Sequence, residues 1–274
     1  MHRAFIVLVF LVIFGGVGLM VSVGTHITYS LFGNNLASLF SGYDGEAITA
    51  EAYLIENLET GAVVFEKNKD EARPIASLTK LFTAAIANQT DSLEEDTLIV
   101  WQDVVTEGTS GSLGLGQVYT VRDLLFPLLL SSSNDAASAV ERVIGSEVYT
   151  AKKTEVLTSA GLTNTELKDA SGLSDQNTST PAELAKFLRY LKDSEPYVLD
   201  ITRLKSYVGP YHGWINNNPG VSYEAWRGGK HGYTYAAGRT FAGIYEREGT
   251  PYAIVLLHSD DLHEDIRVAL SLLP

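Results

Sequence analysis

The spacing of apolar residues changes twice along this chain, and that change limits the possible folds more than any other feature. EAYLIEN and AVVFEKN flank Thr60 and Gly61 and alternate with a period of two, the pattern of a strand hairpin. From Ser77 onward the period is helical. SLTKLFTAAIAN (Ser77–Asn88) is apolar on most faces and predicts a buried helix. Thr120 opens VRDLLFPLLL like a capping box, and Pro127 is predicted to kink or interrupt that helix. SSSNDAASAVERVIG starts a further helix with Ser133 or Asn134 as its cap. EVYTAKKTEVLTSAG ends another at Gly161, and Thr180-Pro181 opens PAELAKFLRYLKD. Past residue 202 the period returns to two through SYVGPYHGWIN, VSYEAWRGGKHGYTY, AAGRTFAGIYEREG and PYAIVLLHS. A last helix sets Leu262, Ile266, Ala269 and Leu273 on one face. Strands, helices, strands and a helix in that order predict an α+β fold. It is an α/β/α sandwich on an antiparallel sheet of about five strands drawn from both chain ends, flanked by helices, with an all-helical subdomain.

The N-terminus speaks to compartment. Ala4 to Val21, AFIVLVFLVIFGGVGLMV, carries no charge and follows Arg3. A run of about 18 apolar residues is long enough to span a bilayer as a helix, and the basic end favours the cytoplasm. Residues 1–24 are therefore expected to be a transmembrane anchor or uncleaved signal, with 4–24 in the lipid bilayer. The protein would be single-pass in the cell membrane, with the rest of the chain on the extracytoplasmic face. A cleaved signal peptide is the alternative, but its apolar region runs to roughly 7–15 residues, and Val23-Gly24 is a poor cleavage site. Residues 25–47 read as a juxtamembrane segment and 48–274 as the folded domain.

A net charge of −13, from 20 basic and 33 acidic residues, argues against nucleic acid as a partner. The absence of cysteine rules out disulfides, a thiolate nucleophile and a Cys-based metal site. The six His are scattered, without an HExxH pair, so neither metal nor cofactor is expected.

Three short segments carry chemistry. Ser77 and Lys80 stand three apart, on one helical face. An alcohol needs a neighbouring base, and a Lys serves only when desolvation or nearby positive charge lowers its pKa. Such pairs also arise by chance on surface helices. Ser132-Ser133-Asn134 breaks two helices next to LLFPLLL, where the polar groups either cap the next helix or face a pocket. Lys230-His231-Gly232 follows Gly228-Gly229 on a strand, and such glycines mark close approach by another backbone or a ligand. An exposed turn with an edge Lys reads the same way.

Taken in order, these segments resemble the penicillin-binding serine DD-peptidases, and in particular the low-molecular-mass D-alanyl-D-alanine carboxypeptidases of β-lactamase/transpeptidase-like fold. RPIASLTKLFTA resembles the family's SxxK motif, LLLSSSNDAA its SxN motif and WRGGKHGYTYAAG its KTG strand. GLTNTELKDASGLSDQNTSTPAELAKFL resembles the segment between the second and third motifs. The resemblance implies Ser77 as nucleophile, Lys80 as general base, and Ser132 with Lys230 in proton transfer to the leaving amine. Asn134 would orient the substrate amide and the Lys80 amine. The N–H groups of Ser77 and Tyr233 would form the oxyanion hole, and His231, Gly232, Tyr233 and Thr234 would line the substrate site. The implied substrate is a peptidoglycan stem peptide ending in D-Ala-D-Ala, and β-lactams would acylate Ser77.

One position departs from the pattern. The family carries Thr or Ser where His231 stands, and a His changes charge near neutral pH. Carboxylate binding is therefore expected to persist with altered geometry or pH dependence. Glu166 is followed by LKDAS, unlike the ExxLN of class A β-lactamases, so fast β-lactam turnover is not expected. An inactive peptidoglycan-binding relative and a β-lactamase- or esterase-like hydrolase remain the alternatives.

Overall fold

The structure, a computed structural model, describes residues 48–104, 107–109 and 111–274. The expected anchor (1–24) and juxtamembrane segment (25–47) lie outside the described residues. Among those described, no helix is long and apolar enough to cross a membrane.

The chain opens with the hairpin β1 (Ala52–Asn57) and β2 (Val63–Lys67), then the short β3 (Arg73–Pro74). The middle comprises α1 (Thr79–Asn88), β4 (Asp96–Leu98), α2 (Trp101–Val104), β5 (Val118–Thr120), α3 (Val121–Leu130), α4 (Asn134–Ile144), α5 (Ser146–Ser159), β6 (Thr178–Ser179), α6 (Pro181–Ser194) and α7 (Pro196–Arg203). It closes with β7 (Ser206–Val208), β8 (Gly213–Ile215), β9 (Trp226–Thr234), β10 (Gly238–Arg247), β11 (Thr250–Ser259) and α8 (Leu262–Ser271). Five strands form one antiparallel sheet in the order β2-β1-β11-β10-β9, so both chain ends build it, as the periodicity predicts.

Side-chain alternation turns this sheet into the middle of three layers. Ala52, Leu54, Ala242, Ile244, Ala253, Val255 and Leu257 join a core shared with α1 and α3–α7. Their neighbours Tyr53, Ile55, Phe241, Tyr245, Tyr252, Ile254 and Leu256 pack against α8 through Leu262, Ile266 and Ala269, with Leu273 just past the helix end. The face expected of the last helix is the buried one.

The caps follow the sequence. Thr120 and Asp123 exchange both hydrogen bonds of a capping box. Ser133 accepts from the Ala136 N–H at 2.9 Å and caps α4, while Thr180 caps α6 ahead of Pro181. Pro127 does not interrupt α3, which runs unbroken with eight buried residues. A proline inside a helix costs about 3 kcal/mol, whereas each buried large apolar side chain returns about 1.5–3 kcal/mol. The five leucines and Phe126 outweigh the missing hydrogen bond.

SYVGPYHGWIN departs from the expected single sheet. It forms the separate ribbon β7–β8. The inward Tyr207 stacks on Phe126 of α3 with ring centroids 3.5 Å apart and lies beside Trp214. That aromatic docking holds the ribbon on α3 of the helical half.

Candidate active site

Ser77 does not lie within the α-helix itself. Ala76–Leu78 make a 3-10 turn that runs directly into α1 at Thr79. Thr79 Oγ1 donates to Ala76 O at 2.8 Å, and Ala76 holds a left-handed φ of 48°. Side chains of this kind rarely adopt that conformation, and the neighbouring chain enforces it. A Cβ added to Gly172 would stand 2.0 Å from Ala76 O, so the 169–173 loop presses backbone to backbone against the turn.

Lys80 is wholly buried in the first turn of α1. Its Nζ lies 3.2 Å from Ser77 Oγ, 2.7 Å from Asn134 Oδ1 and 2.6 Å from Ser171 O. Burial pushes the amine down to about 7, against the opposing pull of Asp169. The cause is desolvation, one of the two that the sequence reading allows. Asn134 opens α4, and its Nδ2 donates to Glu107 O at 2.7 Å, which turns its Oδ1 toward Lys80. Ser132 stands buried at the break between α3 and α4 with a left-handed φ of 63°. The capping and pocket readings of this segment are divided between neighbours: Ser133 caps, and Asn134 meets Lys80.

β9 supplies the opposite wall. Lys230 pairs with Ala242 and Gly232 with Thr240, whereas His231 pairs with Phe241. Ala242 faces the helical half and Phe241 faces α8, so Lys230 and Gly232 point toward Lys80's side of the sheet and His231 points away. A Cβ on Gly232 would come within 2.6 Å of Ser77 N and 2.9 Å of Thr240 Oγ1. Thr240 Oγ1 in turn donates to Ile75 O at 3.0 Å, tying the strand pair to the turn that carries Ser77. Lys230 is buried, and its Nζ donates to His231 O at 2.8 Å. Burial first, and then repulsion from Lys80, hold this amine well below its ordinary value.

His231 behaves differently from the sequence expectation. Burial, Lys230 and His263 push it down to about 3, so the ring is neutral at neutral pH and does not switch there. Its Nδ1 is buried without a hydrogen-bond partner among the described residues. Tyr233 is exposed beside Arg239, with the guanidinium 5.9 Å from the ring centre. Thr234 Oγ1 accepts from Ala237 N at 3.1 Å and so serves the β9–β10 turn. The structure thus brings together Ser77, Lys80, Asn134, Lys230 and Gly232, with Ser132 alongside Asn134. It leaves the His231 side chain on the opposite face of the sheet and that of Thr234 in the β9–β10 turn.

Asp169, Ser171 and Gly172 complete the site and went unassigned in the sequence reading. Asp169 accepts from Ser171 N, Ser171 Oγ, Gly172 N, Ser174 N and Asn177 Nδ2 at 2.6–2.8 Å. Burial alone would raise its carboxyl, but these hydrogen bonds outweigh that and hold it below the usual carboxylate range. The DASG string is a turn signal, but nothing local tells that its carbonyl reaches Lys80.

Fold and site together define a class: serine acyl-transfer enzymes in which an amine serves the nucleophile. Residues 41–261 match the family model for D-alanyl-D-alanine carboxypeptidases, peptidase family S11. The chain is 30% identical over 220 residues to the D-alanyl-D-alanine carboxypeptidase DacB2 of Mycobacterium tuberculosis, covering 76% of this chain and 75% of that one. It superimposes on a crystal structure of a D-alanyl-D-alanine carboxypeptidase from M. tuberculosis H37Rv with a TM-score of 0.75 at 27% identity, covering 81% and 89% of the two chains. Penicillin-binding protein D2 from Listeria monocytogenes, in its cefotaxime-bound form, gives 0.74 at 25% identity, covering 82% and 96%. The chain belongs to the D-alanyl-D-alanine carboxypeptidase family, and with it to the serine DD-peptidases.

Proposed function

We propose that this serine D-alanyl-D-alanine carboxypeptidase works through the neutral form of Lys80. The carrying observation is the set of contacts around Nζ. A neutral amine has two N–H donors and one lone pair, and the two shortest contacts are to acceptors, Asn134 Oδ1 and Ser171 O. The lone pair is left for the Ser77 hydroxyl, 3.2 Å away. Ser77 then attacks the carbonyl of the penultimate D-alanine while Lys80 takes its proton. Ser132, in the field of Lys230, hands a proton to the departing D-alanine amine. The N–H groups of Ser77 and Tyr233 receive the oxyanion, a contribution of about 3–4 kcal/mol per donor. Gly232 leaves room for that geometry, and the outer edge of β9, with His231, Tyr233 and Thr234, receives the peptide as an added strand. Water hydrolyses the acyl-enzyme. β-Lactams acylate the same hydroxyl; the cefotaxime-bound Listeria relative supports this.

Incubating the protein with a pentapeptide ending in D-Ala-D-Ala is expected to release free D-alanine, detected by mass spectrometry, and slow hydrolysis of a β-lactam alongside it. No D-alanine and no acyl adduct would favour the inactive binding relative. Rapid β-lactam turnover without D-alanine would favour a β-lactamase-like hydrolase.

The apolar run Ala4–Val21 supports a membrane anchor that leaves the catalytic domain on the extracytoplasmic face. The full chain is expected in the membrane fraction, resistant to carbonate extraction, and a chain starting at residue 25 in the soluble fraction. A full chain that stays soluble overturns the anchor.

A further inference from the structure

The ribbon β7–β8 and the pair β4–β5 turn apolar side chains outward as well as inward. In β7–β8, Tyr207 and Trp214 face the helical half, which leaves Val208 and Ile215 on the outer face, 82% and 77% exposed. In β4–β5, Leu98 stands opposite Val118, and both are exposed while their neighbours Thr97 and Tyr119 are buried. The two ribbons touch. The Val118 N–H donates to Tyr211 Oη at 3.4 Å, and Tyr119 meets the exposed Tyr211 edge-on with ring centres 5.2 Å apart. Trp101, three residues beyond Leu98, opens α2 and is 69% exposed. Six large apolar side chains on adjoining elements exceed the scattered single residues that a folded surface ordinarily exposes.

Charge is missing from the same region. None of the 20 basic and 33 acidic residues falls in 108–121 or 206–223, the stretches that supply Val118, Val208, Tyr211 and Ile215. Charged groups return at Asp96, which opens β4, and at Lys205, which precedes β7. A face without charge meets lipid with no ion to desolvate, whereas the rest of a chain with a net charge of −13 is poorly suited to that contact. Trp and Tyr beside aliphatic residues are the composition of a membrane–water boundary. The N-terminal run brings such a boundary within reach. Residues 22–47, 26 in number, separate it from the folded domain, a tether of at most roughly 90 Å at 3.3–3.6 Å per residue. Tethering keeps the domain at high effective concentration beside the bilayer, so a modest apolar contact is occupied.

We propose that this face rests on the surface of the lipid bilayer in which the N-terminal run is anchored. This rests on the membrane-anchor reading above. Trp101 and Tyr211 lie at headgroup level, and Leu98, Val118, Val208 and Ile215 meet the outermost acyl carbons. The contact also fixes where the active site stands. Two residues beyond Ile215, the Asn217 N–H donates to Leu130 O at 3.0 Å and its Nδ2 to Ser131 O at 3.4 Å. Those carbonyls immediately precede Ser132, so the docked face holds the α3–α4 break, and with it the cleft, near the membrane. Stem peptides close to the bilayer are then favoured over those that a freely swinging domain would meet farther out.

The three tryptophans make the test direct, because none lies in residues 1–47 and both Trp214 and Trp226 are buried. The full chain is reconstituted into phosphatidylcholine vesicles whose acyl chains carry bromine close to the headgroup. Relative to unbrominated vesicles it is expected to lose about a third of its tryptophan emission, the share of the one tryptophan set at the interface. Trp101→Phe should remove that quenching by itself. Val208→Glu combined with Ile215→Glu should remove it too, with flotation on the vesicles and melting temperature unchanged. Quenching that survives either variant overturns the docking. So does a wild-type chain that floats with the vesicles yet is not quenched, and a cross-linked dimer lost in the double-Glu variant would then assign the face to a second copy. A full chain that does not float overturns the anchor, and this contact with it.

Discussion

Lys80→Met is expected to slow acylation of Ser77 by about 10²–10⁴, the range that a positioned general base contributes. Met fills a similar volume without burying an amine, so the fold should persist, although Asn134 Oδ1 and Ser171 O each lose a donor. The wild-type pH profile carries the sharper test. Only the neutral amine can receive the hydroxyl proton. With the amine pushed down to about 7, the reactive fraction rises with pH and levels off above that value. Below it, the rate should fall about tenfold per pH unit. An amine at its ordinary value would keep rising to beyond pH 10. Rates of labelling by a fluorescent penicillin between pH 5 and pH 10, with Ser77→Ala as the blank, distinguish the two. A flat profile, or a Lys80→Met variant labelled at the wild-type rate, sinks the mechanism.

Gly232→Ala is expected to lower activity by about 10²–10³, as large an effect as loss of an oxyanion donor. The added methyl would meet Ser77 N at 2.6 Å, Thr240 Oγ1 at 2.9 Å and Ala76 Cβ at 3.1 Å. Two of the three belong to the turn that carries the nucleophile, and none is the loose end of a long side chain. The strand must move off the turn, or the turn off α1. Either movement parts the Ser77 and Tyr233 N–H groups proposed above to receive the oxyanion. The sheet itself should hold, because β10 and β11 are clamped on both faces by core residues. Thermal denaturation together with D-alanine release checks this: activity should collapse with a modest loss of melting temperature. Full activity in the variant would show that strand and turn are not held at the distance seen here.

The layers of the fold were legible in the sequence because both periodicities are strong. Alternation across β1, β10 and β11 assigns each residue to a face, and the helical caps at Thr120, Ser133 and Thr180 mark their starts. The ribbon β7–β8 was misread as part of the main sheet, since alternation reports a strand but not its partner, and the partner was set by Phe126 on a distant helix. Ser77, Lys80, Asn134 and Gly232 were legible through motif spacing. Ser171 was not, because its contribution is a backbone carbonyl that any residue type would supply. His231 was misjudged for a related reason. Its residue type gives the ordinary titration range, but burial, Lys230 and His263 lower it; Lys230 is the adjacent residue, whereas burial and the approach of His263 from α8 come only with the fold.

The pairing of β1 with β11 places Ala52 opposite Leu257. A contact between residues so distant along the chain carries a heavy loop-closure cost and belongs to topologies that fold slowly. The central sheet has no middle until the last strand arrives, and β9, which must abut the nucleophile turn, is held in place through β10 and β11. Catalytic competence is therefore a late event in the maturation of this polypeptide. A nascent chain carrying all three motifs but lacking β11 would be inert, so reactivity cannot emerge before synthesis has passed the final strand.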